Sequence, residues 1–430
     1  MKAFKAFDIR GKVPEELNQE LTKKIGAAFC EFLKPKTIVI GYDTRDSSKS
    51  LYKALVKGVI SQNVNILSIN LCTTPMFYFA INKLKVDGGI MITSSHSPLN
   101  TNGLKLCKKN AESIHIGNGL KEIEKLCKTK LIKTKIGKIK KIKILKEYEN
   151  FLKDFIKTSD VKIGIDGLNM SGVIDYKILK KFYNIRGINL KIGEPKPYFE
   201  PNPQIRKNLK NIKAFVKKHK LDLGLFFDGD CDRVLFIDER GEEIASDIIA
   251  AFLIDKSKYK KILKDQQSSE IIDDICKKNK TKLIKTKIGH SMVDSKLKET
   301  KSDYGSERSG HHYFKEFFNK DNAILTVIKL INILQKPISK QVKPYKKYFH
   351  SGELNFKIKE KEKLLKTIEE KYAKYKKDKF DGLKIISKEF WMYIRISKTQ
   401  DLIRINIESK EKSKLNKIKS EIIKIVHNFR

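Results

Sequence analysis

Two polar stretches of this 430-residue sequence carry side chains that could do chemistry. The first, TSSHSPLN (residues 93–100), places Ser95 beside His96 in a turn that follows the apolar run GGIMI. A serine becomes a nucleophile when a neighbouring base accepts its proton, so the pair predicts either a hydrolase nucleophile or a serine used for other chemistry. The G-x-S-x-G turn of α/β-hydrolases is absent from the sequence, which argues against the hydrolase.

The second stretch, DGDCDR (residues 228–233), follows the apolar run LGLFF. Such a run indicates a buried strand, and ligands of α/β sheets bind at the carboxyl ends of strands. Three carboxylates at alternate positions, Asp228, Asp230 and Asp232, offer oxygen ligands to a hard cation such as Mg²⁺. A solvated acidic turn is the alternative, whereas an EF-hand is excluded because Arg233 stands where that loop requires glycine.

Two more stretches offer groups for hydroxyls and for a phosphate. GSERSGHH (residues 305–312) presents Glu307 and Ser309, which could bind hydroxyl groups, although a plain surface loop has the same composition. RISKTQD (residues 395–401) lies between two strand-like runs and has three polar residues at alternate positions, Arg395, Ser397 and Thr399. An arginine fork with hydroxyl groups suits a phosphate dianion, and an ordinary hairpin turn is the alternative.

The elements that must position these groups alternate between strands and helices, as in parallel α/β sheets. Three successive blocks show a similar order of elements, and the serine, acidic and Glu307 stretches fall in the first, second and third block. Beyond KPISKQVK (residues 336–343) the strands cluster instead, which indicates a smaller α+β domain. The length and the 40% hydrophobic content suffice for two to four domains.

The composition narrows the class of protein further. No apolar run approaches the ~20 residues that a membrane helix needs, and the N-terminal residues lack the apolar core of a signal peptide. The six cysteines lie far apart without a C-x-x-C pair, so we expect no zinc site and a reducing compartment. These features predict a cytoplasmic protein without a membrane partner.

The formal net charge of +40 at pH 7 would suit a protein that binds nucleic acid or an acidic surface. The lysines occur along the whole chain, however, and no nucleic-acid-binding motif accompanies them. We therefore interpret the charge as a lysine-rich, solvated surface and expect no nucleic-acid partner. Such a surface would still attract anionic substrates.

Six motifs, in this order, resemble those of the α-D-phosphohexomutase superfamily, and the chain is most similar to its bacterial phosphomannomutases. The serine stretch resembles the phosphoserine loop T-A-S-H-N-P, and DGDCDR resembles the magnesium loop D-G-D-x-D-R. YGSERSGHHYF resembles the sugar loop G-G-E-M-S-x-H, and RISKTQD resembles the phosphate loop R-x-S-N-T-[EQ]-P. FDIRGK (residues 7–12) and KIGHS (residues 287–291) match two further elements of the family, so the resemblance covers nearly the whole chain.

The resemblance implies an α/β fold of four domains around a central cleft. Three related α/β domains and a smaller C-terminal α+β domain would each contribute one loop to the cleft. The expected bounds are residues 1–140, 141–238, 239–338 and 339–430, and the protein would be a monomer or a small homo-oligomer.

The activity that the resemblance implies is that of a phosphomannomutase, which interconverts mannose 6-phosphate and mannose 1-phosphate. Phospho-Ser95 would give its phosphoryl group to a hexose monophosphate, and the hexose 1,6-bisphosphate formed would return its other phosphate to Ser95. Mg²⁺ would be held by the Ser95 phosphate and the three aspartates. The product would feed GDP-mannose and surface polysaccharide synthesis. A phosphoglucomutase or a dual-specificity enzyme is the alternative, and an inactive relative that binds nucleic acid is a more distant one.

The resemblance also assigns roles to individual positions. Lys105 matches the general acid/base, with a pKa that neighbouring positive groups would lower, and His96 would orient the serine phosphate. The positions that would bind the substrate are Arg10, His290, Glu307, Ser309, His311, Arg395, Ser397 and Thr399, with Arg233 in support.

The sequence departs from the family pattern at six positions: Ser97, Gln267, Ser306, Arg308, Lys398 and Asp401. Gln267 stands where a basic residue is usual, and Asp401 adds a negative charge to the phosphate loop, which Lys398 could offset. Because the groups expected to carry the chemistry are all present, we expect the departures to alter substrate affinity more than the type of reaction.

Overall fold

The computed structural model of the chain describes residues 1–129, 131, 136–194, 199–397 and 402–429. Four sheets follow one another along the sequence, and each with its helices is called a domain, I to IV, below. The residue bounds predicted between the domains stay a prediction. Within the described ranges, no helix has both the length and the apolar character that crossing a membrane requires.

Domain I contains a six-stranded sheet in the order β1-β5-β4-β2-β3-β6. Its strands are β1 (Ile9–Lys12), β2 (Thr37–Tyr42), β3 (Asn65–Leu71), β4 (Gly88–Ile92), β5 (Thr101–Lys108) and β6 (Ile139–Lys141). Its helices are α1 (Gln19–Leu33), α2 (Ser48–Ile60), α3 (Thr74–Lys83) and α4 (Leu120–Leu126). β2, β3, β4 and β6 are parallel as predicted, while β5 runs antiparallel to both of its neighbours, β4 and β1. Ser47, the residue before α2, makes no side-chain cap bond, and its hydroxyl accepts from Asn102.

Domain II contains a five-stranded sheet in the order β11-β10-β9-β7-β8. Its strands are β7 (Lys162–Asp166), β8 (Asn184–Ile188), β9 (Leu223–Phe227), β10 (Val234–Asp238) and β11 (Glu243–Ile244), and its helices are α5 (Leu145–Lys153), α6 (Gly172–Leu179) and α7 (Lys210–Lys218). β10 and β11 form an antiparallel hairpin. Every residue of β9 is buried, so the acidic stretch lies at the carboxyl end of a central strand, as predicted.

Domain III contains a five-stranded sheet in the order β13-β12-β14-β15-β16. Its strands are β12 (Lys261–Asp265), β13 (Lys282–Thr286), β14 (Tyr304–Ser306), β15 (His312–Phe314) and β16 (Lys320–Asp321). Its helices are α8 (Ser246–Lys256), α9 (Ile271–Lys278), α10 (His290–Thr300), α11 (Ala323–Ile333) and α12 (Ile338–Val342). The Glu307 stretch connects β14 to β15.

Domain IV is a six-stranded antiparallel sheet with two helices, which confirms the predicted α+β segment. Its strands are β17 (Phe349–His350), β18 (Leu354–Phe356), β19 (Lys376–Asp378), β20 (Leu383–Ile386), β21 (Phe390–Ile396) and β22 (Ile403–Ser409), and its helices are α13 (Lys361–Lys371) and α14 (Lys412–His427). Side chains alternate between the faces of a strand, and one face here is apolar and packs with α13 and α14. The other face is polar. On it, Lys384, Tyr393 and Asn406 lie in register on three adjacent strands, and Arg395 lies two residues beyond Tyr393 in β21.

The apolar cores join domains I, II and III more closely than domain IV. The largest cluster of buried apolar side chains includes Val39 of domain I, Leu225 of domain II and Ile328 of domain III. Domain IV has a separate core, and its polar face contacts domain III, where Lys384 donates to the Gln266 carbonyl at 3.0 Å. Shared apolar packing therefore fixes the first three domains, and polar contacts attach the fourth.

Candidate active site

Ser95 lies in the turn between β4 and β5, with its backbone in the left-handed region at φ 48°. Such a conformation costs a non-glycine residue ~1–3 kcal/mol and is typical of functional sites. The Ser95 hydroxyl donates to Asp228 Oδ2 at 2.6 Å and accepts from Arg233 Nη2 at 3.0 Å. His96 Nδ1 lies 3.2 Å from the same oxygen. The serine turn of domain I thus directly contacts the acidic stretch of domain II.

Arg45, which the sequence analysis missed, holds this serine turn in place. Its buried guanidinium donates to four backbone carbonyls of the turn, at 2.7–2.9 Å: those of Ser95, Ser97, Pro98 and Thr101. Asp43 balances the charge, because its Oδ2 lies 3.4 Å from Arg45 Nε and both side chains are fully buried. The available signal was the polar run DTRD (residues 43–46) at the carboxyl end of β2.

The three aspartates of the acidic stretch come together as predicted. One oxygen from each of Asp228, Asp230 and Asp232 lies within 4.8 Å of the others, and all three residues are buried. Thr74 of domain I donates its hydroxyl to Asp230 Oδ2 at 2.6 Å and its N–H to the Asp230 carbonyl at 2.9 Å. The cluster is therefore bound on one side by domain I.

The charges in this cluster favour a bound cation. Burial and the neighbouring Asp232 raise the pKa of Asp228 to about 7. Burial acts in the same direction on Asp232, but Lys105 and His311 outweigh it and lower the pKa of Asp232. In the part of the chain that the structure describes, the buried Asp230 Oδ1 and Asp232 Oδ1 accept no hydrogen bond. Carboxylate oxygens are the ligands that Mg²⁺ prefers, so these residues fit a metal ion.

Lys105 points from β5 into the acidic cluster. Its ammonium donates to Asp230 Oδ2 at 2.8 Å and also to Asp232. Burial alone would lower the pKa of Lys105, but the two carboxylates outweigh burial and raise it. The prediction that neighbouring positive groups lower this pKa is therefore wrong. The neighbours that decide it are aspartates 125 and 127 residues away in the sequence.

Glu307 is buried, whereas in a plain surface loop it would be exposed to solvent. Its Oε1 accepts the Gly289 N–H at 3.0 Å, and its Oε2 accepts the Tyr313 hydroxyl at 2.6 Å. Ser309 lies half-buried in the same loop. The turn that contains KIGHS is thus bonded to the predicted sugar loop.

His311 brings domain III to the acidic cluster. Its Nδ1 lies 2.7 Å from Asp321 Oδ2 and 3.8 Å from Asp232 Oδ1. Burial would lower the pKa of His311, but the two carboxylates raise it to about 9. The pKa of His290, in contrast, is lowered by burial and by Lys105. Both predicted histidines therefore lie among the charged groups of domains I and II.

Three of the departures from the family pattern have partners in the structure. Ser97 accepts a hydrogen bond from Arg10 Nη1 at 2.8 Å. Arg308 pairs with Asp247 at 2.6 Å. Gln267 donates to Asp265 Oδ2 at 3.3 Å and accepts from Asn406 of domain IV at 3.5 Å. These positions are therefore integrated into the fold.

Arg395 of the predicted phosphate loop lies on the polar face of domain IV. Arg395 belongs to β21, and Ser397 follows it, with its N–H donating to the Leu402 carbonyl at 2.8 Å. Thr399 lies outside the described residues, as do Lys398 and Asp401. The structure thus places Arg395 and Ser397 in domain IV, and the other predicted groups that it describes in domains I to III.

Family models match successive parts of the chain. The phosphoglucomutase/phosphomannomutase alpha/beta/alpha domains I, II and III match residues 1–131, 142–241 and 241–348, and the C-terminal domain matches residues 353–425. The chain belongs to the phosphoglucomutase/phosphomannomutase family. It is therefore a mutase, and the resemblance predicted from the six motifs is confirmed.

Individual members of the phosphoglucomutase/phosphomannomutase family match over almost their full lengths. The phosphomannomutase of Escherichia coli is 32% identical over 98% of both chains. That of Methanocaldococcus jannaschii is 31% identical over 99% of this chain and 98% of its own. The crystal structure of a phosphoglucomutase/phosphomannomutase family protein from Burkholderia thailandensis gives a TM-score of 0.91 at 23% identity, covering 99% of this chain and 97% of that one. This structure shares the four-domain fold.

Proposed function

We propose that this mutase interconverts mannose 6-phosphate and mannose 1-phosphate, with Ser95 as the phosphate carrier. The observation that carries the proposal is the contact of the Ser95 hydroxyl with Asp228 and Arg233. It puts the oxygen that would carry a phosphoryl group at the edge of a carboxylate cluster and beside a guanidinium. Both suit a transferring phosphoryl group, the guanidinium directly and the carboxylates through a metal ion.

The transfer exchanges one oxygen–phosphorus bond for another. The bond between the Ser95 oxygen and phosphorus breaks while phosphorus bonds to a hydroxyl oxygen of the hexose monophosphate. The hydroxyl loses one proton and the serine oxygen gains one. We assign the Lys105 ammonium to give its proton to the serine oxygen and to take up the proton that the hydroxyl loses. The resulting hexose 1,6-bisphosphate turns round and returns its other phosphoryl group to Ser95, while His96 orients the serine phosphate.

Asp228, Asp230 and Asp232 would hold Mg²⁺ together with the phosphate on Ser95. When bound, the ion neutralises charge on the transferring phosphoryl group. Lys105 and Arg233 already balance part of the carboxylate charge, since they contact Asp230 at 2.8 Å and Asp228 at 3.0 Å. They therefore help to keep the three carboxylates together.

The substrate would be held at both ends of the cleft. Each oxygen of Glu307 accepts one bond from the protein, and a carboxylate oxygen can accept two, so Glu307 retains capacity for sugar hydroxyls. Ser309 would assist it. The non-reacting phosphate would bind Arg395, Ser397 and Thr399, while Arg10, His290 and His311 line the cleft. Fixing both ends aligns the hydroxyl with the phosphoryl group, which supplies much of the rate in phosphoryl transfer.

Mannose is the preferred sugar because the Escherichia coli and Methanocaldococcus jannaschii relatives are named phosphomannomutases. Glucose differs from mannose only at C2. A phosphoglucomutase or dual-specificity enzyme is therefore the alternative. The product would enter GDP-mannose synthesis. All six cysteines are free and buried, which supports a cytoplasmic location.

A phosphorus NMR time course tests the proposal. The protein receives mannose 1-phosphate or glucose 1-phosphate, with Mg²⁺ and a trace of glucose 1,6-bisphosphate. We expect conversion to the 6-phosphates, faster for mannose, and none by Ser95→Ala. Ser94→Ala is the matched control, because Ser94 is equally buried but its hydroxyl contacts Thr101. Equal rates for Ser95→Ala and the wild type would contradict the proposal.

Removal of the metal tests the acidic cluster separately. A chelator should abolish turnover, and added Mg²⁺ should restore it and raise the melting temperature of the wild type, because a ligand that binds only the folded state stabilises it. Asp230→Asn should lose most of this thermal shift. Asp154→Asn is the control, since Asp154 is an exposed aspartate outside the cluster. A shift of the same size in Asp230→Asn would exclude Asp230 as a ligand.

A further inference from the structure

We propose that Asp381 is a positioning residue that couples the phosphate-binding strand of domain IV to the sugar-binding loop of domain III. The idea rests on the proposed function, because it concerns how a hexose phosphate is held at both ends. Asp381 lies just before β20 and is buried. Its side chain reaches across the boundary between the two domains.

The contact joins a carboxylate of one domain to a backbone amide of the other. Asp381 Oδ2 accepts the Ile288 N–H at 2.9 Å. The next amide along the chain, the Gly289 N–H, donates to Glu307 Oε1 at 3.0 Å. Because the two amides belong to consecutive residues of one turn, a displacement of Asp381 changes the position of Glu307.

The turn between the two carboxylates has little freedom to absorb such a displacement. Gly289 has φ 122°, and a Cβ atom there would lie 2.9 Å from the ring of Phe7. Glu307 is held on its other side by the Tyr313 hydroxyl at 2.6 Å. The turn therefore transmits position from domain IV to the sugar loop.

Asp381 is equally well fixed to the strand that carries Arg395. Its carbonyl accepts the hydroxyl of Tyr393, which lies two residues before Arg395 in β21. The following residue, Gly382, has φ 94°, and a Cβ atom there would lie 2.6 Å from the Ile394 carbonyl oxygen and 3.4 Å from Arg395 Cβ. Residues 381 and 382 thus pack directly on the phosphate-binding strand.

Other contacts between domains III and IV involve residues that are not bonded to the sugar loop. Glu408 accepts the N–H of Glu270 at 2.9 Å, at the start of α9. Asp378 lies 3.8 Å from Lys285 in a more exposed pair. These contacts join the two domains without leading to Glu307.

The coupling has a consequence for ligands that span both domains. A hexose monophosphate needs Arg395 and Glu307 at a fixed separation, and a preformed separation lowers the entropic cost of binding. Inorganic phosphate needs no such separation. Loss of the Asp381 contact should therefore weaken the binding of the sugar phosphate alone.

Calorimetric titration of Asp381→Ala and Asp381→Asn with mannose 1-phosphate and with inorganic phosphate tests this. Asp381→Ala should weaken mannose 1-phosphate binding about tenfold, as expected for the loss of a hydrogen bond to a charged group. Asp381→Asn, which keeps an acceptor oxygen, should lose about threefold or less. Inorganic phosphate should bind both variants as it binds the wild type. Asp378→Ala is the matched control from the same segment and should bind both ligands normally.

Two results would overturn the proposal: unchanged mannose 1-phosphate binding by Asp381→Ala, or an equal loss of affinity for both ligands, which a merely structural role would give. Amide hydrogen exchange without ligand provides a readout independent of the sugar. The Ile288 amide should exchange faster in Asp381→Ala than in Asp378→Ala, and equal exchange would also overturn the coupling. A wild type that binds no hexose phosphate, yet shows the faster exchange in Asp381→Ala, would count against the proposed function instead.

Discussion

Arg45 shows how one buried guanidinium can determine the shape of the turn that contains Ser95. Its four bonds to carbonyls hold the turn in which Ser95 adopts its left-handed conformation. A lysine could not replace it, because an ammonium has three donors and no planar fork. The charge balance with Asp43 makes the pair a single buried unit.

Replacement of Arg45 should therefore affect both stability and turnover. Arg45→Met leaves the Asp43 carboxylate buried without its partner, which typically costs ~3–5 kcal/mol in the free energy of unfolding. We expect the folded fraction to have kcat reduced at least about a hundredfold, since misplacement of a reacting group by about 1 Å has such an effect. Denaturant melts and mutase kinetics would measure the two changes.

Arg240→Met is the control for this prediction. Arg240 also pairs with an aspartate, Asp238 at 2.9 Å, but its side chain is 59% exposed. Its loss should leave stability and kcat nearly unchanged. Normal kcat in Arg45→Met would show that the turn keeps its shape without the guanidinium.

The sequence was sufficient to propose individual residues but not their electrostatics. Ser95, Lys105 and the aspartates stand out because their spacing resembles known motifs. The direction of the pKa shift of Lys105 depends on carboxylates of another domain, which no local pattern shows. Arg45 was missed for a related reason, because its role is defined by carbonyls of a turn 50 and more residues away.

At the scale of elements, the polar face of the domain IV sheet carries a group that the sequence does not predict to be buried, the ammonium of Lys384. Lys384 of β20 is buried, with its ammonium 4.2 Å from the ring centre of Trp391 and 3.0 Å from the Gln266 carbonyl. Burial, assisted by the positive charge of Lys264, lowers the pKa of Lys384 to about 8. The alternation of FWMYIRIS predicts which side chains share a face, but not that domain III covers that face.

The lowered pKa makes stability depend on pH in a defined direction. The pKa of Lys384 is about 8 in the folded protein against 10.5 ordinarily, so the unfolded chain binds more protons between these values. The contribution of Lys384 to the free energy of unfolding is therefore lowest below pH 8 and rises as the pH increases to 10.5. Lys384→Met should remove this rise and stabilise the protein at pH 7 by roughly 2–3 kcal/mol.

Melting temperatures of the wild type and Lys384→Met between pH 7 and pH 10.5 would measure this difference. Lys285→Met is the control, since Lys285 is an exposed residue of the same boundary. If the melting temperatures of the wild type and Lys384→Met differed by the same amount at every pH, this result would contradict the lowered pKa of Lys384.

At the scale of the whole molecule, a buried ion pair of domain III, Lys320 with Asp294, is hydrogen-bonded to Ser113 of domain I and so joins the two domains in addition to their shared core. Lys320 contacts Asp294 and donates to Ser113 Oγ of domain I at 2.9 Å. Its ammonium also lies 4.9 Å from the ring centre of Tyr78. The neighbouring residue of β16, Asp321, contacts His311, so this junction supports the side of the candidate active site that domain III forms.

Lys320→Met should destabilise the protein by ~3–5 kcal/mol, because it leaves the Asp294 carboxylate buried and unpaired. Asp294→Asn added to the same variant should recover part of this loss. Calorimetric unfolding would measure both. Lys315→Met, which alters an exposed pair, should change little. A double variant no more stable than Lys320→Met would show that the unpaired charge is not the cause.

The order of the domains could be predicted from the sequence because strand and helix periods are local properties. The junctions between domains could not, since each combines residues far apart in the sequence, as Ser113 with Asp294 or Thr74 with Asp230. The bounds between the domains remain predictions for the same reason.

The boundary between domains I and II has a consequence for the exchange of domains among members of the family. Each aspartate of the acidic cluster bonds to a side chain of domain I: Asp228 to Ser95, Asp230 to Thr74 and Lys105, and Asp232 to Lys105. A chimera joined at this boundary would combine two halves of one charge-balanced unit from different ancestors. A chimera joined between domains III and IV would keep that unit whole and transfer domain IV, with Arg395 and Asp381, as one piece. Recombination for altered substrate preference should therefore be made at the second boundary.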